Sequence, residues 1–574
     1  MKVAVIGAGP GGLVTLKYLL QAPEFLFVKP IEVRLFEAGP EIGGTFRQRN
    51  YEDGEQVSSK YLTTFSDFRP SKEAPDFLPI EDYLVYLEEY CTRFDLWKNI
   101  EVSTTVTRLQ HRGISGHTVS LVRADGTTED WHCDAVAICT GLHVTPNVPH
   151  VDGIENVPLV LHSSQFKARK QFGKDTNVVV LGTGETGMDM SHLAVTSPTR
   201  TVTLCHRNGF LCAAKIIPNP VLFGRFRSSG PDIPTDVVTA SLFESMYVHP
   251  IMKKSLIPWR YYDAFVKYTL WLVSGTRHGI DQWVGGLPDE TYHTSELFFT
   301  KSSRAMPYIS APYRSTSLLH RIRASIAQIK LPETNGRVID LAPWPSHIGQ
   351  DRVIHFTNNG RPEARTMQDV KRKVDVLVFA TGYDQTFPFL DETYPRPEDA
   401  NIRRIWKSGD ETVAFIGFIR PSFGAIPPLA EFQAQLWVLA LLQKLPHPLT
   451  KEEHYRLHMT EERRIQYGVD HENYAYQLAM DMESAPTAAY MLTRGSKMFT
   501  TWALGANFNT KFRLIGPWAF KEAEDIMNNE LWETITRRGG FFGIVVLSLI
   551  PMSIFGPLNL LVWLFASMGL VKGS

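Results

Sequence analysis

The chain has 574 residues, 44% apolar and 21% charged, which is ordinary globular composition and enough for about three or four domains. Its 59 basic and 60 acidic side chains leave a net charge of −1, which excludes a global field drawing in nucleic acid or an anionic surface. The five cysteines (Cys91, Cys133, Cys139, Cys205 and Cys212) show no CxxC and no zinc-type spacing, which excludes a disulfide scaffold, a dithiol redox pair and a metal site.

The first predicted element is a strand. "KVAVIG" is a short Val- and Ile-rich run of the kind buried in a parallel sheet. It begins at Lys2, which leaves no room for a signal peptide, and the odd number of unpaired cysteines adds the expectation of reduced, mostly buried thiols in a reducing compartment. Gly7, Gly9 and Gly12 follow at GxGxxG spacing, and "GGLVTLKYLLQ" then reads as a helix. The first glycine permits the tight turn, the second lets backbone approach a pyrophosphate, and the third lets helix and strand pack closely. Gly7, Ala8, Gly9, Pro10, Gly11 and Gly12 are therefore candidate contacts of a dinucleotide, whose phosphates meet the helix N-terminus. The next strand, "IEVRLFE", ends in Glu37, a carboxylate placed to accept hydrogen bonds from a ribose diol. "EIGGTF" follows and offers Gly44, Thr45 and Phe46 as a loop pressed on the same cofactor.

The design recurs in "NVVVLGTGETGMDMSHLA". Gly182, Thr183, Gly184, Glu185, Thr186 and Gly187 form the second turn, opening a second helix. The strand after it, "TVTLCHR", ends in His206 and Arg207 instead of an acid. A carboxylate repels a 2′-phosphate, whereas a guanidinium binds it through two parallel hydrogen bonds. The first turn thus suits FAD and the second NADPH. One docking module is used twice, for two cofactors.

Between 214 and 300 the alternation of strand and helix breaks down. Tyr261, Phe265, Tyr268 and Leu272 share one helical face there, near Lys253, Lys254, Arg260 and Lys267. That pattern fits an interfacial membrane helix or a helix packed on its own core. At the far end, no charged residue stands between Phe541 and Val571; Arg537 and Arg538 precede the run and Lys572 follows it. At ~1.5 Å per residue a helix of this length exceeds a ~30 Å hydrocarbon core. The expectation is a membrane anchor, kinked or re-entrant at Pro551, Gly556 and Pro557, with a buried C-terminal helix as the alternative.

The order of these motifs resembles the flavin-containing monooxygenases. Further stretches agree: "CTGLHVTPNVP" (Cys139 to Pro149) is similar to the linker between FAD and NADP domains. "DVLVFATGYDQTFPFL" (Asp375 to Leu390) is similar to the strand that returns to the flavin domain. "FIGFIRPSFGAIPPLAEFQAQ" (Phe415 to Gln435) and "KFRLIGPWAF" (Lys511 to Phe520) also resemble family segments. The family signature FxGxxxHxxx(Y/F) keeps His162 and Phe166, with Asn156 and Pro158 in place of its Phe and Gly. In "VSSKYLTTFSDF" the asparagine that the family places beside the flavin falls on Val57. Ser58, Ser59 and Lys60 are the polar candidates left there, or a plain loop.

The resemblance implies an α/β fold with two Rossmann-like dinucleotide-binding domains, the second inserted in the first, and a C-terminal membrane-associated helical tail. The expected boundaries are 1–155 and 335–470 for the FAD domain, 156–334 for the NADP domain with its 214–300 insertion, 471–540 for a C-terminal region and 541–571 for the anchor. It implies transfer of one oxygen atom from an FAD hydroperoxide to a soft nucleophile, an amine nitrogen or sulfide sulfur of a small lipophilic molecule. Baeyer–Villiger chemistry on ketones, or NADPH oxidation by a membrane flavoprotein without oxygenated product, stands as the alternative. The implied partners are O2, the lipophilic substrate and a membrane, with no nucleic acid and with homo-oligomerisation left open. The implied location is the endoplasmic reticulum membrane, with the flavin domains facing the cytoplasm.

Overall fold

A computed structural model describes residues 1–113, 116–207, 209–210, 212–219, 221–222, 226–227, 232–237, 251–252, 271–275, 300–301, 304–327, 332–421, 424–449, 455–456, 467–506, 508–537 and 550–570. The strands that position the site are β1 (Lys2–Ile6), β2 (Glu32–Phe36), β3 (Ile100–Glu101), β4 (Ala135–Ile138), β5 (Leu159–His162), β6 (Asn177–Leu181), β7 (Thr201–His206), β8 (Ile339–Pro343), β9 (Val376–Phe379) and β10 (Val413–Phe415). The helices are α1 (Pro10–Leu26), α2 (Lys60–Thr63), α3 (Glu185–Val195), α4 (Ile426–Leu441) and α5 (Ile550–Ser567).

Two parallel sheets carry the molecule. The first has the order β10-β4-β1-β2-β3 and the second β8-β7-β6-β9-β5. In each, the central strand leads into a glycine turn: β1 pairs on its two sides with β2 and β4, and β6 with β7 and β9. Every residue of β6 is buried, as is β1 after Lys2, because strands covered on both faces must be apolar throughout. Helix α1 covers the first sheet together with α4, which is buried from Pro427 to Ala440.

The second sheet corrects one expectation. The strand in "DVLVFATGYD" does not return to the flavin domain: Val178 pairs with Val376 and Leu181 with Phe379, so β9 lies beside β6. β8 joins the same sheet through β7, so the chain rejoins the first sheet at β10 and not at residue 335. The reason is local. A Cβ on Gly7 would lie 2.7 Å from the Cys139 carbonyl oxygen, and one on Gly182 would lie 2.5 Å from that of Ala380. "CTG" after β4 and "ATG" after β9 are therefore equivalent backings of the two glycine turns.

The α1–α4 contact encloses a polar network. Tyr18 donates to Glu431 Oε1 at 2.7 Å and accepts from Gln435 at 2.6 Å and from Arg513 at 2.6 Å. Arg513 also donates to Ser66 Oγ at 2.7 Å and to Asp67 at 3.1 Å, and Lys17 pairs with Asp67 at 2.7 Å. The segment "KFRLIGPWAF" thus locks the C-terminal region onto the first sheet's helices.

The residues expected to form an amphipathic helix, Tyr261, Phe265 and Tyr268 with Lys253, Lys254, Arg260 and Lys267, lie outside the described residues, as do 541–549. Among the described residues no helix is long and apolar enough to cross a membrane. Helix α5 contains Pro557 and Asn559. It is not a buried helix either: Leu558, Leu560, Leu561, Trp563, Leu564 and Phe565 are all exposed.

Candidate dinucleotide sites

The first turn has the geometry of a phosphate cradle. Gly7 has φ 104°, a left-handed conformation that favours glycine. Gly12 has no room for a side chain, since its Cβ would stand 1.8 Å from the Gly7 oxygen. Gly9 caps α1 and Pro10 occupies the first helical position, where its missing N–H costs nothing. Gly44 closes over this turn: its Cβ would lie 3.0 Å from the Gly9 Cα, and the Gly43 N–H donates to the Ala8 oxygen at 2.9 Å. Thr45 and Phe46 follow directly, with the Phe46 ring edge-on to Tyr83 at 4.9 Å. Glu37 is buried and accepts from the Ala8 and Gly39 N–H groups, each at 2.7 Å. Each of its oxygens keeps a second lone pair for a ribose hydroxyl.

The second turn repeats the frame. Gly182 has φ 109°, and a Cβ on Gly187 would lie 1.9 Å from the Gly182 oxygen. Gly184 caps α3, and Glu185 and Thr186 form the first turn of that helix, with Thr183 just ahead of it. Among the described residues nothing stands within 4 Å of a Cβ on Gly184. Both cradles have the backbone geometry to fit a bound dinucleotide.

The end of β7 departs from expectation. His206 turns inward, 1% exposed, with Nε2 2.8 Å from Glu363 Oε1. Its Nδ1 accepts from the Gly209 N–H at 2.8 Å. His206 therefore faces the protein interior, while Arg207 is exposed and has its carbonyl bonded by Asn359 at 3.2 Å. Arg361, two residues on from Asn359, reaches Glu363 at 3.1 Å. No local pattern marked this loop, because it comes from a distant part of the chain.

The flavin-side candidates separate. Lys60 is committed to a loop: its ammonium donates to the carbonyls of Lys72 at 2.8 Å and Ala74 at 2.7 Å. Burial lowers its pKa, but those carbonyls occupy its hydrogens. Ser59 caps α2, and its N–H donates to Asp236 Oδ2 at 2.7 Å. Ser58 is buried, and its carbonyl accepts from Thr63 at 3.0 Å. Asp236 is buried in the insertion and was not anticipated; it sits alone in "IPTDVV", with no spacing to flag it.

Gly44 and Glu55 bound a strap between the two cradles. Lys167 donates to the Gln48 oxygen at 2.8 Å, Tyr51 donates to Asp189 at 2.6 Å, and Arg169 pairs with Asp53 at 2.6 Å. Glu55 pairs with Lys215 at 2.6 Å and Arg304 at 2.8 Å. Burial raises the pKa of Asp189, which lies on α3, the helix that the second glycine turn opens.

Comparison with known proteins agrees with this geometry. A family model described as FMO-like, flavin-binding monooxygenase-like, matches residues 1–262 and 351–537. The chain is 52% identical to "Monooxygenase cfoE" of Aspergillus candidus, covering 99% of both chains. It is 25% identical to "Flavin-containing monooxygenase 2" of Homo sapiens, covering 91% of this chain and 90% of that one. Among solved structures, "Oxidized steroid monooxygenase bound to NADP" shares the fold with a TM-score of 0.50 at 15% identity, covering 84% of this chain and 98% of that one.

Proposed function

The chain belongs to the flavin-binding monooxygenase-like family, and on that premise we propose that it transfers one oxygen atom of O2 to the nitrogen or sulfur of a small lipophilic molecule. FAD and NADPH are its cofactors. The observation that carries the reading is the pair of glycine cradles on two sheets of one chain, joined by a strap. FAD, when bound, supplies the redox chemistry and oxygen activation. The protein supplies position. Gly9, Gly12 and Gly44 hold FAD at the N-terminus of α1, with Glu37 on its ribose. Gly184 and Gly187 hold NADPH at the N-terminus of α3, and Arg207 binds the 2′-phosphate.

The exposed apolar face of α5 supports a further part of the reading. The C-terminal tail anchors the protein to a membrane, of the endoplasmic reticulum in a eukaryote, with the flavin domains in the cytoplasm. There the tail gives access to substrates dissolved in the bilayer.

The test is mass spectrometry of a panel of amines, sulfides and ketones incubated with the protein, NADPH and isotopically labelled O2. The expected products are N- or S-oxides carrying one labelled oxygen. Labelled esters or lactones from the ketones alone would overturn the choice of nucleophile. NADPH consumption without any labelled organic product would overturn oxygen transfer itself.

A further inference from the structure

We infer that Tyr51 and Asp189 are positioning residues for hydride delivery: their hydrogen bond fixes the coenzyme helix against the strap that closes the flavin cradle. The inference rests on the reading of the two cradles as FAD and NADPH sites.

The strap has two ends with different attachments. At Gly44 it presses on the first glycine turn, with a Cβ there 3.0 Å from the Gly9 Cα. At Tyr51 it reaches the second module, where the phenol donates to Asp189 Oδ2 at 2.6 Å. Only a few residues separate these contacts, so a shift of α3 is passed directly to the loop over the flavin turn. The other ties reach α3 only through an intermediary or not at all: Arg169 joins Asp53 to the Leu193 carbonyl at the C-terminal end of α3, at 3.0 Å, while Lys167 and Lys215 lie outside that helix. The Tyr51 bond joins the strap directly to a side chain of α3, two residues after Gly187 of the coenzyme cradle.

Hydride transfer explains why such a tie matters. Reacting atoms must sit ~3–3.5 Å apart, and a misplacement of ~1 Å can cost about a hundredfold in rate. Each cradle is rigid within its own sheet, but the distance between cradles depends on contacts across the seam. A phenol–carboxylate hydrogen bond is short and directional, which suits a distance constraint. The Tyr51 ring is held separately, edge-on to Phe166 at 6.3 Å, so its packing survives loss of the hydroxyl.

The experiment is anaerobic reduction of FAD-loaded full-length protein by NADPH, followed in a stopped-flow instrument across coenzyme concentrations. Wild type, Tyr51→Phe, Asp189→Asn, Asp189→Ala and the Tyr51→Phe/Asp189→Ala double variant are compared. Tyr51→Phe and Asp189→Ala should each slow reduction at saturating NADPH by roughly tenfold, with coenzyme affinity, FAD content and melting temperature near wild type. Asp189→Asn still accepts from the phenol and should stay within about twofold of wild type. The double variant should be no slower than either single one. A Tyr51→Phe protein reduced at the wild-type rate would overturn the inference. So would a slow Tyr51→Phe protein whose loss appears wholly as weaker NADPH or FAD binding. Wild type that NADPH fails to reduce would overturn the coenzyme reading itself, and the inference with it.

Discussion

At the residue scale, the proposed reading rests the coenzyme choice on Arg207. His206 is tied to Glu363, so the exposed guanidinium is the charge at the end of β7. Arg207→Asp removes a charge-assisted contact to the 2′-phosphate and adds a repulsion. It should raise the KM for NADPH by roughly tenfold to a hundredfold while leaving that for NADH nearly unchanged. Steady-state oxidation of both coenzymes checks this, and equal effects would show that Arg207 does not read the phosphate. His206→Gln should leave the ratio of the two constants unchanged, since that ring faces Glu363. Reading the strand end from sequence found both basic residues but not which one turns inward. Orientation there is set by Glu363 and Gly209, neither of which lies in the motif.

A second residue-scale effect concerns acid. Burial, with His111 nearby, pushes His117 down to about 4, and its ring bonds Tyr394 at 2.9 Å and Thr412 at 3.0 Å. Burial, with Arg304 and Arg169, holds His192 at about 4 as well. A histidine kept neutral by folding contributes its full stability only above its unfolded pKa of ~6.5. That contribution is lost as pH falls from ~6.5 toward ~4, because the unfolded chain binds the proton first. Urea denaturation across this window should show wild-type stability falling, and His117→Gln falling less steeply. Parallel declines would contradict the assignment.

At the element scale the network under α1 and α4 is the most exposed to single changes. Arg513 is 1% exposed and stands among Tyr18, Asp67 and Glu431. Nearby carboxylates hold its charge although burial opposes it. Arg513→Met removes the cation and leaves two buried carboxylates without it, at a cost of about 3–5 kcal/mol. Chemical denaturation measures that cost, and a loss below about 1 kcal/mol would show that the network is not a principal tie. Which elements formed was legible in sequence, because an apolar run followed by a glycine turn and a helix is local physics. Which sheet a strand joined was not. "VLVF" reads as a buried strand in either sheet, and only pairing to β6 decides. The strap was illegible for the same reason, since Tyr51 and Asp189 are far apart in sequence and neither belongs to a motif.

At the scale of the whole molecule two claims remain to be tested. The tail follows Arg537, which bonds Asp76 at 2.7 Å and Tyr61 at 2.9 Å and so belongs to the body. Deleting residues 541–574 should leave that tie intact and move the protein from the membrane pellet toward the soluble fraction after a high-salt wash. A full-length protein found wholly in the soluble fraction would contradict the anchor.

The central claim is that one module is used twice, for different dinucleotides, and the most direct test is the stoichiometry of bound cofactors in two variants. Wild type should bind one FAD and one NADP(H) per chain. In Gly12→Val the new side chain meets the Gly7 oxygen, where even a Cβ would lie at 1.8 Å, and FAD should be lost. In Gly187→Val the corresponding distance is 1.9 Å to Gly182, so FAD should stay and NADP(H) binding should fail. A Gly187→Val protein that binds NADP(H) like wild type, or a Gly12→Val protein with full FAD content, would contradict the account.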